Sequence, residues 1–75
     1  MSIEMNIGAA LQFYRDQSGL TQEAVSAIAE IGLRYYQKLE AGEQAPSYAV
    51  LFRLAMALDV GPEELLHDAF MAYKL

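Results

Sequence analysis

The chain contains no cysteine among its 75 residues, so it can form neither a disulfide nor a thiolate metal site. Its one histidine, His67, lies in an acidic turn with Glu63, Glu64 and Asp68, which favours a surface histidine over a metal ligand. No stretch approaches the roughly 18 apolar residues of a membrane span. The first ten residues lack the basic start and continuous apolar core of a secretory signal. We therefore expect a cytoplasmic protein with no metal and no cofactor.

The sequence also lacks the parts of an enzyme active site. It has no glycine-rich phosphate loop, no nucleophile paired with a histidine and no metal-ligand spacing. Ser18, Ser26 and Ser47 are explained by helix termini and helix faces, and Glu63 with Glu64 is typical of a helix start. We expect no catalytic function.

Basic residues are scarce, with five lysines and arginines against ten carboxylates and a net charge of −5. DNA affinity comes largely from neutralised phosphates, so this charge disfavours a nucleic-acid ligand unless the charges are segregated. Arg34 and Lys38 lie together, and many carboxylates lie elsewhere, at Asp59, Glu63, Glu64 and Asp68.

The chain is short enough for one domain, residues 1–75, which buries only about 60% of its unfolded surface. Apolar residues recur at helical spacing without strand patterning, which predicts an all-α domain of five helices. Outside the central stretch, the helices are expected at about Ile7 to Gln17, Tyr48 to Leu58 and residues 62–73. Ile7, Ala10, Leu11 and Tyr14 are expected to face inward from the first helix, as are Val50, Leu51, Leu54, Ala55 and Leu58 from the fourth.

The central stretch, Thr21 to Gly42, predicts two short helices joined by a tight turn. Thr21 is a suitable N-cap, and an apolar stripe follows it, formed by Ala24, Val25, Ile28 and Ala29. Gly32 suits a turn better than a helix interior. A second helix is expected from about Leu33 to Ala41, with Tyr36 and Leu39 inward. Such a pair, at about residues 21–41, is a helix-turn-helix.

The same stretch carries a family resemblance, in the pieces Gly19-Leu20-Thr21-Gln22, Leu39-Glu40-Ala41-Gly42, Pro46-Ser47, Leu54-Ala55 and Glu64-Leu65-Leu66. Together and in order, these pieces resemble the phage-repressor and Cro-like (XRE-type) helix-turn-helix family over roughly Ile7 to Leu66. The resemblance implies a compact five-helix, lambda-repressor-like DNA-binding domain whose second motif helix enters the major groove.

The resemblance also implies residue roles. The positions that would face the bases are Leu33, Arg34, Gln37 and Lys38, and those that would face the DNA backbone are Gln22, Tyr35, Gln44 and Ser47. Arginine can grip guanine by two bonds and glutamine can meet adenine, while leucine can touch a thymine methyl group. In the family, an arginine at the place of Arg15 pairs with the glutamate that here is Glu40. The alternative for the outer face of the second motif helix is that it is exposed to solvent and contacts no ligand.

The sequence departs from the family pattern at two places. The loop after Gly42 reads Glu43, Gln44, Ala45, where the family often carries lysine, arginine or asparagine. Glu30 replaces a glycine often found in the turn, at a position that can demand a positive φ. Gly32 is expected to supply that freedom instead.

The resemblance predicts a dimer that reads two half-sites about one helical turn apart. The expected contacts between subunits are Leu66, Phe70 and Tyr73, on a carboxyl-terminal helix at about 62–73, although Phe70 and Tyr73 could instead fold back onto the core. The expected function is that of a transcriptional regulator on an operator, competing with RNA polymerase or recruiting it. The alternative is a protein-interaction module on the same fold. Replacing Arg34 should weaken binding if the ligand is DNA, whereas replacing Phe70 or Tyr73 should matter more if the ligand is a protein.

Overall fold

The five predicted helices all form in the computed structural model, which describes residues 7–74 and the side chains of residues 7–68. No strand occurs within these residues, so the all-α prediction is confirmed. The helices are α1 Ile7–Ser18, α2 Gln22–Ala29, α3 Leu33–Glu40, α4 Tyr48–Leu58 and α5 Pro62–Lys74.

Side-chain caps set the starts of α2 and α4. The Thr21 hydroxyl accepts a hydrogen bond from the Ala24 amide at 3.1 Å, and the Ser47 hydroxyl accepts one from the Val50 amide at 3.2 Å. Each bond satisfies an amide that has no partner inside the helix. Pro62 is the first residue of α5, where a missing amide costs nothing. These starts are confirmed as predicted, because each depends on contacts within three residues.

Left-handed residues end the helices. Gly19 and Gly42 have φ values of 73° and 78°, as predicted for residues that follow a helix. Glu30 and Asp59 take the same conformation, with φ values of 59° and 57°. Gly32 lies outside the helices as predicted and forms the extended N-cap of α3, but the prediction that it supplies the positive φ of the turn is wrong, since its φ is −67°. The left-handed turn falls at Glu30 because the Glu30 and Ile31 amides bond back to carbonyls of α2.

The replacement Glu30→Gly should therefore stabilise the protein, by roughly 0.5–1 kcal/mol. A left-handed residue with a Cβ costs roughly 1–2 kcal/mol, and the greater freedom of glycine in the unfolded chain offsets part of that gain. Chemical denaturation of both proteins measures the difference. Asp59→Gly is the matched control and should gain less, because aspartate tolerates this conformation better. A loss of stability in Glu30→Gly would contradict the expectation.

A single core forms where α1, α3 and α5 meet α2 and α4. Its fully buried large side chains are Tyr36, Leu11, Leu39, Leu54, Leu65 and Val25. The expected inward positions of α1 and α4 are buried except Tyr14 and Val50, which are partly buried against this core. Ile28, expected in the stripe of α2, is instead 57% exposed. The buried face of this eight-residue helix is Val25, Ser26 and Ala29, so Ile28 lies just outside it.

Candidate nucleic-acid interface

The outer face of α3 carries the four side chains expected to read bases. Leu33, Arg34 and Gln37 are exposed, and Lys38 is partly buried. On the opposite face, Tyr36 and Leu39 are fully buried. Because residues three and four apart share a helix face, the sequence of α3 separates one apolar side from one polar side. The four positions thus form a continuous surface, and we call it the α3 face.

A saturated carboxylate fixes α3 to the rest of the fold. Glu40, the last residue of α3, has a side chain only 6% exposed. Its Oε2 accepts hydrogen bonds from Arg15 Nε at 2.6 Å and from the Tyr36 hydroxyl, and its Oε1 accepts from Arg15 Nη2 at 3.2 Å and from Gln22 Nε2 at 3.1 Å. Arg15 also donates to the Leu20 carbonyl at 3.2 Å. These bonds join α1, α2 and α3 at one point.

The ionisation of this group follows from those contacts. Burial alone would raise the pKa of Glu40, but the hydrogen bonds from Arg15, Tyr36 and Gln22 outweigh it and hold the pKa below the ordinary value. The hydrogen bond to Glu40 likewise raises the pKa of Arg15. Burial, with the hydrogen bond to Glu40, raises the pKa of Tyr36. Glu40 and Arg15 are therefore charged, and Tyr36 is neutral, near pH 7.

Gln22 connects this buried carboxylate to the α3 face. Its Nε2 donates to Glu40, and its Oε1 accepts a hydrogen bond from Gln37 Nε2 at 3.2 Å. Gln22 is the first residue of α2 and is partly buried. The sequence analysis assigned Gln22 to the DNA backbone and Gln37 to a base without relating them, whereas the structure brings their amides together.

The other residues expected at the DNA backbone lie in different settings. Tyr35 is partly buried and packs against the core. Gln44 is exposed in the loop between α3 and α4, while Ser47 caps α4. Gln44 and Ser47 both line a cavity of about 500 Å³ between that loop and the starts of α1 and α4.

The charges around the motif are only partly segregated. Arg34 and Lys38 lie on α3, and Arg53 is exposed on α4. Exposed carboxylates, however, occur at each end of the motif helices, at Glu23, Glu30 and Glu43. The basic side chains of the α3 face are Arg34 and Lys38. Arg15, on α1, is bonded to Glu40 and adds no free positive charge to this surface.

The expected dimer contacts lie on α5. Leu66 is partly buried and packs against the core, while Phe70 and Tyr73 lie outside the residues whose side chains the structure describes. The Tyr14 hydroxyl donates to Asp68, which ties α1 to α5, and this bond raises the pKa of Tyr14 to about 12.

An apolar stripe on α4 was missed by the sequence analysis. Tyr48, Phe52 and Met56 are 76%, 49% and 79% exposed. Their spacing of four residues places them on one side of the helix. This spacing is visible in the sequence, although the sequence-based prediction for α4 named only its inward residues.

The part of the chain that the structure describes offers neither a cluster of metal ligands nor a membrane-spanning helix. There, no group of three or more histidine, cysteine, aspartate or glutamate side chains is placed to hold a metal ion. Within the same residues, no helix has the length and apolar character needed to cross a membrane.

The chain matches a known protein family and a relative within it. A family model described as helix-turn-helix matches residues 11–65. An uncharacterized HTH-type transcriptional regulator, y4dJ, from Sinorhizobium fredii is 35% identical over 66 residues, which cover 88% of this chain and 86% of the relative.

Two solved structures share the fold. The restriction-modification controller protein C.AhdI from Aeromonas hydrophila aligns with a TM-score of 0.78 and 31% identity, covering 81% of this chain and 92% of that one. The clp gene regulator ClgR from C. glutamicum aligns with a TM-score of 0.85 and 25% identity, covering 91% of this chain and 88% of that one.

Proposed function

The chain belongs to the helix-turn-helix family of transcriptional regulators, and on that premise we propose that it binds an operator sequence in double-stranded DNA. The observation that carries the proposal is the α3 face. Arg34, Gln37 and Lys38 offer the donors and acceptors that base edges in the major groove require, and Leu33 offers an apolar contact for a thymine methyl group. The partly buried ion pair between Arg15 and Glu40 connects that helix to α1.

Contacts to phosphate would set the register of the protein on the duplex. Gln22 lies at the amino terminus of α2, where free amides and the helix dipole favour an anion. Tyr35, Gln44 and Ser47 would add neutral hydrogen bonds. With Arg34 and Lys38 as the basic side chains of the α3 face, such an interface depends on salt less steeply than a strongly basic one.

Pairing of two copies through α5, by Leu66, Phe70 and Tyr73, would place two α3 faces on successive turns of the major groove. Doubling the contacts raises the affinity of a weakly basic protein. A bound dimer would compete with RNA polymerase at a nearby promoter or recruit it.

Selection from a random pool of double-stranded DNA, at low and near-physiological salt, tests this function. An enriched site with two inverted half-sites supports both operator binding and the dimer. A single enriched half-site supports DNA binding and contradicts the dimer. A folded protein that enriches nothing at either salt contradicts the proposal and favours the alternative, a protein-interaction module on the same fold.

The replacement Arg34→Ala should cost roughly 1–3 kcal/mol of binding free energy, with relaxed preference at one base pair. The physical reason is the loss of a bidentate contact to guanine. Fluorescence anisotropy on the selected site and on its single-base variants measures both effects.

Arg53→Ala is the matched control, because it removes the same charge from an exposed position on α4. It should weaken all sites equally or leave binding unchanged. Equal and uniform losses in the two variants would show that Arg34 acts only through its charge.

A further inference from the structure

We propose that the buried Glu40 carboxylate, acting through Gln22, sets the orientation of the Gln37 amide and so makes this position select adenine over guanine. The inference rests on the proposed function and adds a positioning role for Gln22. It is carried by two hydrogen bonds, from Gln22 Nε2 to Glu40 Oε1 at 3.1 Å and from Gln37 Nε2 to Gln22 Oε1 at 3.2 Å.

The polarity of this chain of bonds begins at Glu40. An ionised carboxylate accepts hydrogen bonds and donates none, and the contacts of Glu40 hold it in the ionised form. Gln22 must therefore turn its NH₂ group toward Glu40. Its carbonyl oxygen then points away, to Gln37, and only the NH₂ group of Gln37 can meet that oxygen.

The orientation of Gln37 determines what it offers a base. One N–H of its amide is used by Gln22, so the other N–H and the carbonyl oxygen remain for the DNA. A donor beside an acceptor matches the N7 and N6 groups of adenine. A reversed amide would present two donors, which match the N7 and O6 acceptors of guanine. Reversal would need a donor at the Gln22 position facing Gln37.

Changing the polarity at position 22 tests the inference. Gln22→Lys supplies donors only, so its ammonium can bond both Glu40 and the carbonyl oxygen of Gln37, which reverses the Gln37 amide. Gln22→Met has a similar length and makes neither bond. The added lysine charge strengthens binding to all sites alike, so the measured quantity is the ratio of affinities for adenine and guanine at one base pair.

The wild-type protein should prefer adenine at that base pair by roughly tenfold or more. Gln22→Met should reduce the ratio to near one, and Gln22→Lys should reverse it in favour of guanine. With Gln37→Ala in the background, changes at position 22 should no longer alter the ratio. Adenine preference retained in Gln22→Lys, or an unchanged ratio in Gln22→Met, would overturn the inference while operator binding stands.

A measurement without DNA separates the two levels of the proposal. In the NMR spectrum of the free protein, the hydrogen-bonded amide proton of Gln37 should shift upfield in Gln22→Met. An unchanged Gln37 resonance would overturn the orienting role of Gln22, whether or not the protein selects an operator. If Gln22→Met shows this shift and the wild-type protein still enriches no DNA site, adenine selection is overturned together with the proposed function.

Discussion

The replacement Arg15→Ala is expected to lower the free energy of unfolding by about 3 kcal/mol, the lower end of the range for buried ion pairs, because this pair is partly buried. The Glu40 carboxylate would keep its buried position and lose both hydrogen bonds from the guanidinium group. A buried charge left without its partner costs far more than an exposed ion pair contributes. Since small domains are only marginally stable, much of the population should be unfolded at 37 °C. Urea denaturation followed by circular dichroism measures the change.

The control for this prediction is Arg53→Ala. Arg53 is exposed on α4, so its removal should change stability by no more than about 0.5 kcal/mol. Arg15→Lys is a second comparison, because lysine keeps the charge but cannot form the two parallel bonds to a carboxylate. It should fall between the wild type and alanine. If Arg15→Ala were no more damaging than Arg53→Ala, the ion pair would not hold α1 to α3.

The pH dependence of stability gives an independent measure of the same group. Glu40 has a folded-state pKa below the ordinary value of 4.5, so its contribution to stability is complete above the unfolded-state pKa. As pH falls through the folded-state pKa, that contribution is lost. Glu40→Gln should therefore flatten the acid limb below about pH 4.5, relative to the wild type. A wild-type and a variant curve that stay parallel down to pH 3 would contradict the assignment.

Local signals in the sequence were enough to predict where α2, α4 and α5 begin. Thr21 and Ser47 act on amides three residues away, and Pro62 acts through its own missing amide, so none of the three depends on the tertiary fold. The left-handed residue in the motif turn was harder to predict. Local preference favours glycine there, and Gly32 was available, but the hydrogen bonds that close α2 place the turn at Glu30.

The candidate site was predictable only in part. The positions of the α3 face came from the family resemblance, and the helical period explains why they share one surface. The contacts behind that surface could not be predicted from spacing. Glu40 receives hydrogen bonds from three elements, and Gln22 lies 15 residues from Gln37. Such contacts depend on how α1, α2 and α3 cross, which no local pattern specifies.

A close backbone approach between α1 and α3 leads to the second large effect, expected for Gly8→Val. Gly8 is buried in α1 beside the end of α3. A Cβ at this position would lie 2.4 Å from the carbonyl oxygen of Glu40 and 2.7 Å from that of Leu39. Both atoms belong to the backbone, so no side-chain rotation can relieve the overlap. Because α1 must move away from α3, we expect a loss of about 3 kcal/mol in unfolding free energy.

A graded series distinguishes this overlap from a general intolerance of change. Gly8→Ala should cost less, about 1–2 kcal/mol, because the steric penalty is partly offset by the roughly 1 kcal/mol that alanine gains in helix propensity. Gly32→Ala is the control: its Cβ would meet no atom within 4 Å, so only a capping loss of about 0.5–1 kcal/mol is expected. A stabilising effect of Gly8→Ala would mean that helix propensity outweighs the steric overlap and that α1 can shift freely.

A shift of α1 would also carry Arg15 away from Glu40. Adding Arg15→Ala to Gly8→Val should therefore cost little further unfolding free energy, so the losses of the two single variants should not add in the double variant.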